Sequence, residues 1–171
     1  MKKLSLEGLN FSTTEINIKN KIMTITLDRP EKKNAMNNVM MNEINYLLAY
    51  AKQEKDIRVV VFAANGDIFC AGADLSRTES KSNVPRLENS DDISLSLRHL
   101  YKPVICKIQG PVLAGALLIV SNATHAIAVD EATFSAPEIH RGLWPFMVMA
   151  GLFRVMPCLL YTSDAADDSR S

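Results

Sequence analysis

Cysteine is scarce, with three in 171 residues at Cys70, Cys106 and Cys158. An odd number at wide spacing supports neither a disulfide framework nor a metal cluster, and a reducing, cytoplasmic setting is the simplest reading. An excess of one charge is also missing: nineteen basic residues meet nineteen acidic ones. That excludes a nucleic-acid binder working by bulk electrostatics, which needs a basic excess to displace phosphate counterions. Long apolar runs are absent too. The longest, Val112 to Val120, is far short of the ~20 residues that span a bilayer, and no apolar stretch follows Met1-Lys2-Lys3 as a signal peptide would require. The expectation is a soluble intracellular chain without membrane or nucleic-acid partners.

The familiar catalytic fingerprints are missing as well. There is no G-x-G-x-x-G, no G-x-x-x-x-G-K-[ST], no H-E-x-x-H and no G-x-S-x-G. His99, His125 and His140 are scattered and read as surface or strand-end residues. No sequence feature demands a metal or a redox cofactor.

What is present can build a core: 47% of residues are hydrophobic and 22% charged, ordinary for a soluble domain. At roughly 150 residues per domain, one domain is expected. Ile16 and Ile18, then Met23, Ile25 and Leu27, alternate with polar residues about an Asn20-Lys21 turn, which predicts a hairpin. Asp28-Arg29-Pro30 stops its second strand, since proline lacks the N–H a ladder needs. Asn37 or Asn38 then caps a helix whose apolar stripe is Met40, Ile44, Leu47, Leu48 and Ala51. Val59 to Ala63, Val104 to Ile108 and His125 to Val129 read as strands buried on both faces. An apolar helix lies between the last two, and strand–helix–strand order implies a parallel sheet with crossover helices. Ser76 to Asp92 reads as a long functional or disordered loop. Phe146 to Met156 reads as an apolar helix ended by Pro157. After it the composition changes, so residues 1–157 are expected to form the domain and 158–171 a disordered or non-native-looking tail.

Three segments suggest chemistry. Phe69-Cys70-Ala71-Gly72-Ala73-Asp74-Leu75 and Gly110-Pro111-Val112-Leu113-Ala114-Gly115-Ala116 each place small residues where a strand ends, so backbone N–H groups can approach a ligand. Two such groups converging would make an oxyanion hole, the second reinforced by a helix N-terminus. Taken singly, each segment is better read as tight strand-to-helix packing. The third, Phe134-Ser135-Ala136-Pro137-Glu138, sets a carboxylate among Phe134, Ala136, Ile139, Leu143, Trp144 and Phe146, surroundings that suit a general acid/base. Alone, Glu138 would read as an exposed glutamate on a turn.

Together and in this order, these segments resemble the crotonase (enoyl-CoA hydratase/isomerase) superfamily, from about Ile16 to about Pro157. The likeness includes Leu27-Asp28-Arg29-Pro30, Asn34-Ala35-Met36 and Lys102-Pro103-Val104-Ile105. It implies an α/β fold, the ββα spiral with a mainly parallel sheet, and a C-terminal helical region cut short here. It also implies an acyl-CoA thioester substrate, with CoA entering as part of the substrate and no separate cofactor. The thioester oxygen would accept the N–H groups of Ala73 and Gly115, and residues Ala71, Gly72, Ala73, Asp74 and Leu75 would lie along the CoA. Glu138 matches the second of two glutamates that hydratases of the family use. The first should fall three residues after Gly115, where this chain has Leu118. Leucine cannot hold water, so the resemblance favours an isomerase-like proton shuttle by Glu138 over hydration. Full-length relatives are expected to be trimers or dimers of trimers. The competing readings are a hydratase, a non-catalytic acyl-CoA-binding protein or inactive fragment, and, last, the related fold of self-compartmentalising serine proteases.

Overall fold

The computed structural model describes residues 3–76, 82–87 and 92–156; the expected tail lies outside them, as does much of the Ser76–Asp92 loop. The hairpin forms as expected, β1 (Thr14–Lys19) against β2 (Ile22–Leu27), with Lys19 opposite Ile22. Its two turn residues, Asn20 and Lys21, have φ of 52° and 65°. Two successive left-handed residues match the right-handed twist of a hairpin. Asn37 caps α1 (Asn38–Gln53) by accepting a hydrogen bond from the Met40 N–H, and the whole predicted stripe is buried.

From β2 onward the strands run parallel. β3 (Val59–Ala64), β4 (Val104–Ile108) and β6 (His125–Ala128) extend the sheet in the order β1-β2-β3-β4-β6. After β2, β3 and β4 the chain crosses to a second, smaller layer, passes through a helix and returns. Met36 occupies the second layer before α1, Cys70–Ala73 before α2 (Ile93–Arg98), and β5 (Val112–Leu113) before α3 (Leu117–Asn122). The fourth winding ends with β7 (Phe134–Ser135) and α4 (Phe146–Val155). This is the ββα spiral. The core fills the space between sheet and helices, with Met23, Ile25, Leu27, Val60, Phe62, Phe69, Cys106 and Ile108 facing Met40, Ile44, Leu47 and Leu48. Gly151 lets α4 press onto α3, because a Cβ there would strike the Ser121 side chain.

The expectation that the three parallel strands are buried on both faces needs correction. In β3 only Val60 and Phe62 are fully buried, while Val59 and Val61 on the other face are half-buried, and in β4 Ile105 is half-buried and Lys107 exposed. β6 is exposed at all four residues; it is the edge strand, and no described element covers it. α2 carries no sequence signal that singled it out; Asp92 caps it, accepting from the Leu95 N–H.

Candidate active site

The second layer brings together the three segments that the sequence singles out. Cys70 pairs in parallel with Val112, and Val112 with Phe134. Neighbouring strands stand ~4.8 Å apart, so three chain segments leave the layer side by side and in step. Counting two residues on from that shared register gives Gly72, Ala114 and Ala136, and the next places hold Ala73, Gly115 and Pro137. Glu138 follows directly.

The orientation of the Ala73 N–H is set by its neighbours. Met36 donates its N–H to the Gly72 carbonyl (2.7 Å) and accepts the Asp74 N–H (2.9 Å). A trans peptide points its N–H opposite its C=O, so with the Gly72 carbonyl turned to Met36 the Ala73 N–H faces away. Gly115 lies close by: a Cβ built on it would be 3.7 Å from the Ala73 nitrogen. Gly115 is the middle residue of the 3-10 turn Ala114–Ala116 ahead of α3, and the Ala114 carbonyl accepts from Leu117. Among the loop, turn and cap bonds of the described residues, none uses the N–H of Ala73 or of Gly115.

Two backbone features make this approach possible. Gly72 has φ of 90°, and a Cβ on it would come within 2.7 Å of the Ala114 Cβ and 3.0 Å of the Gly115 nitrogen. Ala114 itself has φ of 52°, a left-handed conformation costing about 1–2 kcal/mol for a residue with a Cβ. Such strain collects at functional sites, where surrounding structure holds it in place.

Glu138 lies in the 3-10 turn Pro137–Arg141 and is half-buried. Its Oε2 is sealed from solvent without a hydrogen-bond partner, a state it shares among the described residues with Ser94 Oγ, Gln109 Oε1 and Ser121 Oγ. The expected apolar envelope is incomplete. Phe134, Ile139, Leu143, Trp144 and Phe146 are all at least half exposed, and of the predicted neighbours Ala136 packs on the core. β7 is the last strand of its layer, so side chains that fan out from it and the following turn meet no described element beyond. Leu118 is half-buried against the core.

Of the predicted binding residues, Ala71 donates its N–H to the Lys33 carbonyl (3.0 Å), and Leu75 is largely exposed. Asp74 is tied down. Its Oδ1 accepts from the Ser76 N–H (2.9 Å) and hydroxyl (2.6 Å), and its Oδ2 from Arg29 Nη1 (2.9 Å). The Ser76 bonds first, and then Arg29, hold its pKa at about 2. Asn34, fully buried, accepts from the Arg29 N–H and donates to the carbonyls of Asn65 and Ile68. It braces the loop after β2 to the loop after β3. Cys70 donates its thiol to the Asn34 carbonyl, and burial pushes its pKa up to about 11, which removes it as a nucleophile at neutral pH. The supporting roles of Arg29 and Asn34 had no local signal, because their partners lie up to 45 residues away.

Among the described residues no group of three or more His, Cys, Asp or Glu could hold a metal, and no helix is long and apolar enough to cross a membrane. A family model described as enoyl-CoA hydratase/isomerase matches residues 17–158. The chain belongs to the enoyl-CoA hydratase/isomerase family. It is 35% identical over 135 residues to a "Probable enoyl-CoA hydratase EchA12" of Mycobacterium tuberculosis, in a match covering 71% of this chain and 46% of that protein. It is 31% identical over 144 residues to a trans-2-decenoyl-acyl-carrier-protein isomerase of Streptococcus mutans, covering 80% of this chain and 55% of the relative. A crystal structure of an enoyl-CoA hydratase/isomerase from Mycobacterium paratuberculosis superposes with a TM-score of 0.76 at 25% identity, over 88% of this chain and 60% of that one. The crotonase-like fold and the superfamily resemblance are thereby established. The chain spans about half the length of the curated relatives it matches.

Proposed function

We propose that this chain carries the thioester-enolate half of an enoyl-CoA isomerase. The observation that carries the reading is the shared register that brings the segments of Ala73, Gly115 and Glu138 side by side, with no loop, turn or cap bond of the described residues on either amide and the Glu138 Oε2 buried and unpartnered. An acyl-CoA thioester oxygen would accept both N–H groups, and donors aimed at developing charge are worth ~3–4 kcal/mol each. Glu138 would take a proton from C2 of a 3-enoyl-CoA, leaving a dienolate whose negative oxygen rests on the two amides. Returning that proton to C4 moves the double bond from C3=C4 to C2=C3 and restores the carboxylate. No second reactant is consumed, and CoA enters only with the substrate.

Leu118 supports isomerisation over hydration, since an apolar side chain packed on the core cannot position a water. The two relatives above carry one hydratase name and one isomerase name, so their names do not decide between the reactions. A paired assay does. With a 3-enoyl-CoA and a 2-enoyl-CoA offered separately, isomerisation without hydration is expected. Hydration would transfer the reading to a hydratase whose water is held without residue 118. Turnover of neither by the folded chain would leave a non-catalytic acyl-CoA-binding module or an inactive fragment.

A further inference from the structure

The Ala73 N–H belongs to the peptide that follows Gly72, whose φ of 90° is a conformation open mainly to glycine. Met36 fixes the peptide on one side through its two backbone bonds. The other fixed point is Arg29. Its Nη1 donates both to the Ala35 carbonyl and to Asp74 Oδ2, and the Arg29 and Asp74 side chains are only 5% and 7% exposed. The guanidinium therefore joins the residue just before Met36 to the residue just after Ala73. It closes a ring that runs from Arg29 through Ala35, Met36 and Asp74 and back. Arg29 is itself immobilised, since its N–H and carbonyl both bond to Asn34. The other Asp74 oxygen is taken by Ser76, so the carboxylate is satisfied on both sides and has no freedom to turn toward a ligand.

A buried ion pair is poor value as a source of stability, because desolvation offsets the attraction. Its placement here, straddling the one residue whose amide must be aimed, indicates a different use. We propose that the Arg29–Asp74 pair is the positioning element of the Ala73 oxyanion donor. The pair acts through the backbone and touches no substrate. The inference rests on the reading of Ala73 and Gly115 as oxyanion donors.

The test uses p-dimethylaminocinnamoyl-CoA, a conjugated thioester whose absorption moves to the red when its carbonyl is polarised. The whole chain is titrated with it as wild type, Arg29→Lys, Arg29→Met and Asp74→Asn, with thermal melting followed in parallel. Wild type is expected to bind the probe with a red shift. Arg29→Lys keeps the charge but loses the planar guanidinium and its reach, and Asp74→Asn keeps the shape but loses the charge. Both are expected to stay folded and to bind within about tenfold of wild type, while losing most of the shift. Where isomerisation is measurable, kcat falls on the order of 100-fold with KM little changed, as for a donor misplaced by about an ångström. If Arg29→Met does not fold, the other two variants carry the result. Folded variants that melt lower yet keep the full shift would overturn the proposal and make the pair structural. No shift in wild type would instead remove the oxyanion reading itself, and the inference with it.

Discussion

The Gly115 amide nitrogen lies 3.0 Å from the point where Gly72 would carry a Cβ. The two loops that supply the candidate donors therefore meet through a missing side chain. Gly72→Ala adds a methyl group 2.7 Å from the Ala114 Cβ, at a φ that disfavours alanine. It is expected to cost about 2 kcal/mol or more and to push the Gly115 amide away from Ala73. Denaturant midpoints report the first effect, and the loss of red shift of a bound chromophoric thioester reports the second.

Asn34 makes the brace on which the Ala71–Asp74 loop rests. Asn34→Ala leaves the Arg29 N–H and the Asn65 and Ile68 carbonyls without their partner. Each group so orphaned costs about 1–3 kcal/mol when it stays dry, so a loss of roughly 3 kcal/mol is expected in chemical unfolding. Asn34→Asp restores only the acceptor and should recover part of it.

Asp74 gives the fold a pH signature. Its pKa is held at about 2, below the ordinary 3.8, so the carboxylate contributes stability that is fully present above about pH 4 and lost as pH falls through about 2. Wild type should therefore exceed Asp74→Asn in unfolding midpoint at neutral pH, and the gap should close toward pH 2. A gap that is constant with pH would show that the charge on Asp74 plays no part.

Much of this was legible in the sequence for identifiable reasons. The hairpin, α1 and the three long strands are set by local alternation, a capping Asn37 and β-branched runs, all read over a few residues. The two small-residue segments were legible only together: each alone reads as tight strand-to-helix packing, and their order with the Glu138 segment is what sets them apart. What was not legible depends on distant partners. β6 reads as a buried strand from its composition, yet its place at the sheet edge leaves it exposed. Arg29 reads as the stop of a strand, and its clasp on Asp74 exists only once the spiral stacks one winding on the next. The apolar residues around Glu138 look like an envelope in sequence. In space they fan outward from the last strand of the second layer.

The central claim is that Ala73, Gly115 and Glu138 together form a thioester enolate, and exchange of α-protons tests it without reference to isomerase or hydratase. A saturated acyl-CoA in deuterated water, followed by proton NMR, should lose its C2 protons to solvent deuterium in the presence of the wild-type chain. Glu138→Gln should bind the thioester equally and slow the exchange by about 100-fold or more, the usual worth of a positioned general base. Exchange at the same rate in Glu138→Gln, or none in wild type while the thioester is bound, would contradict the account.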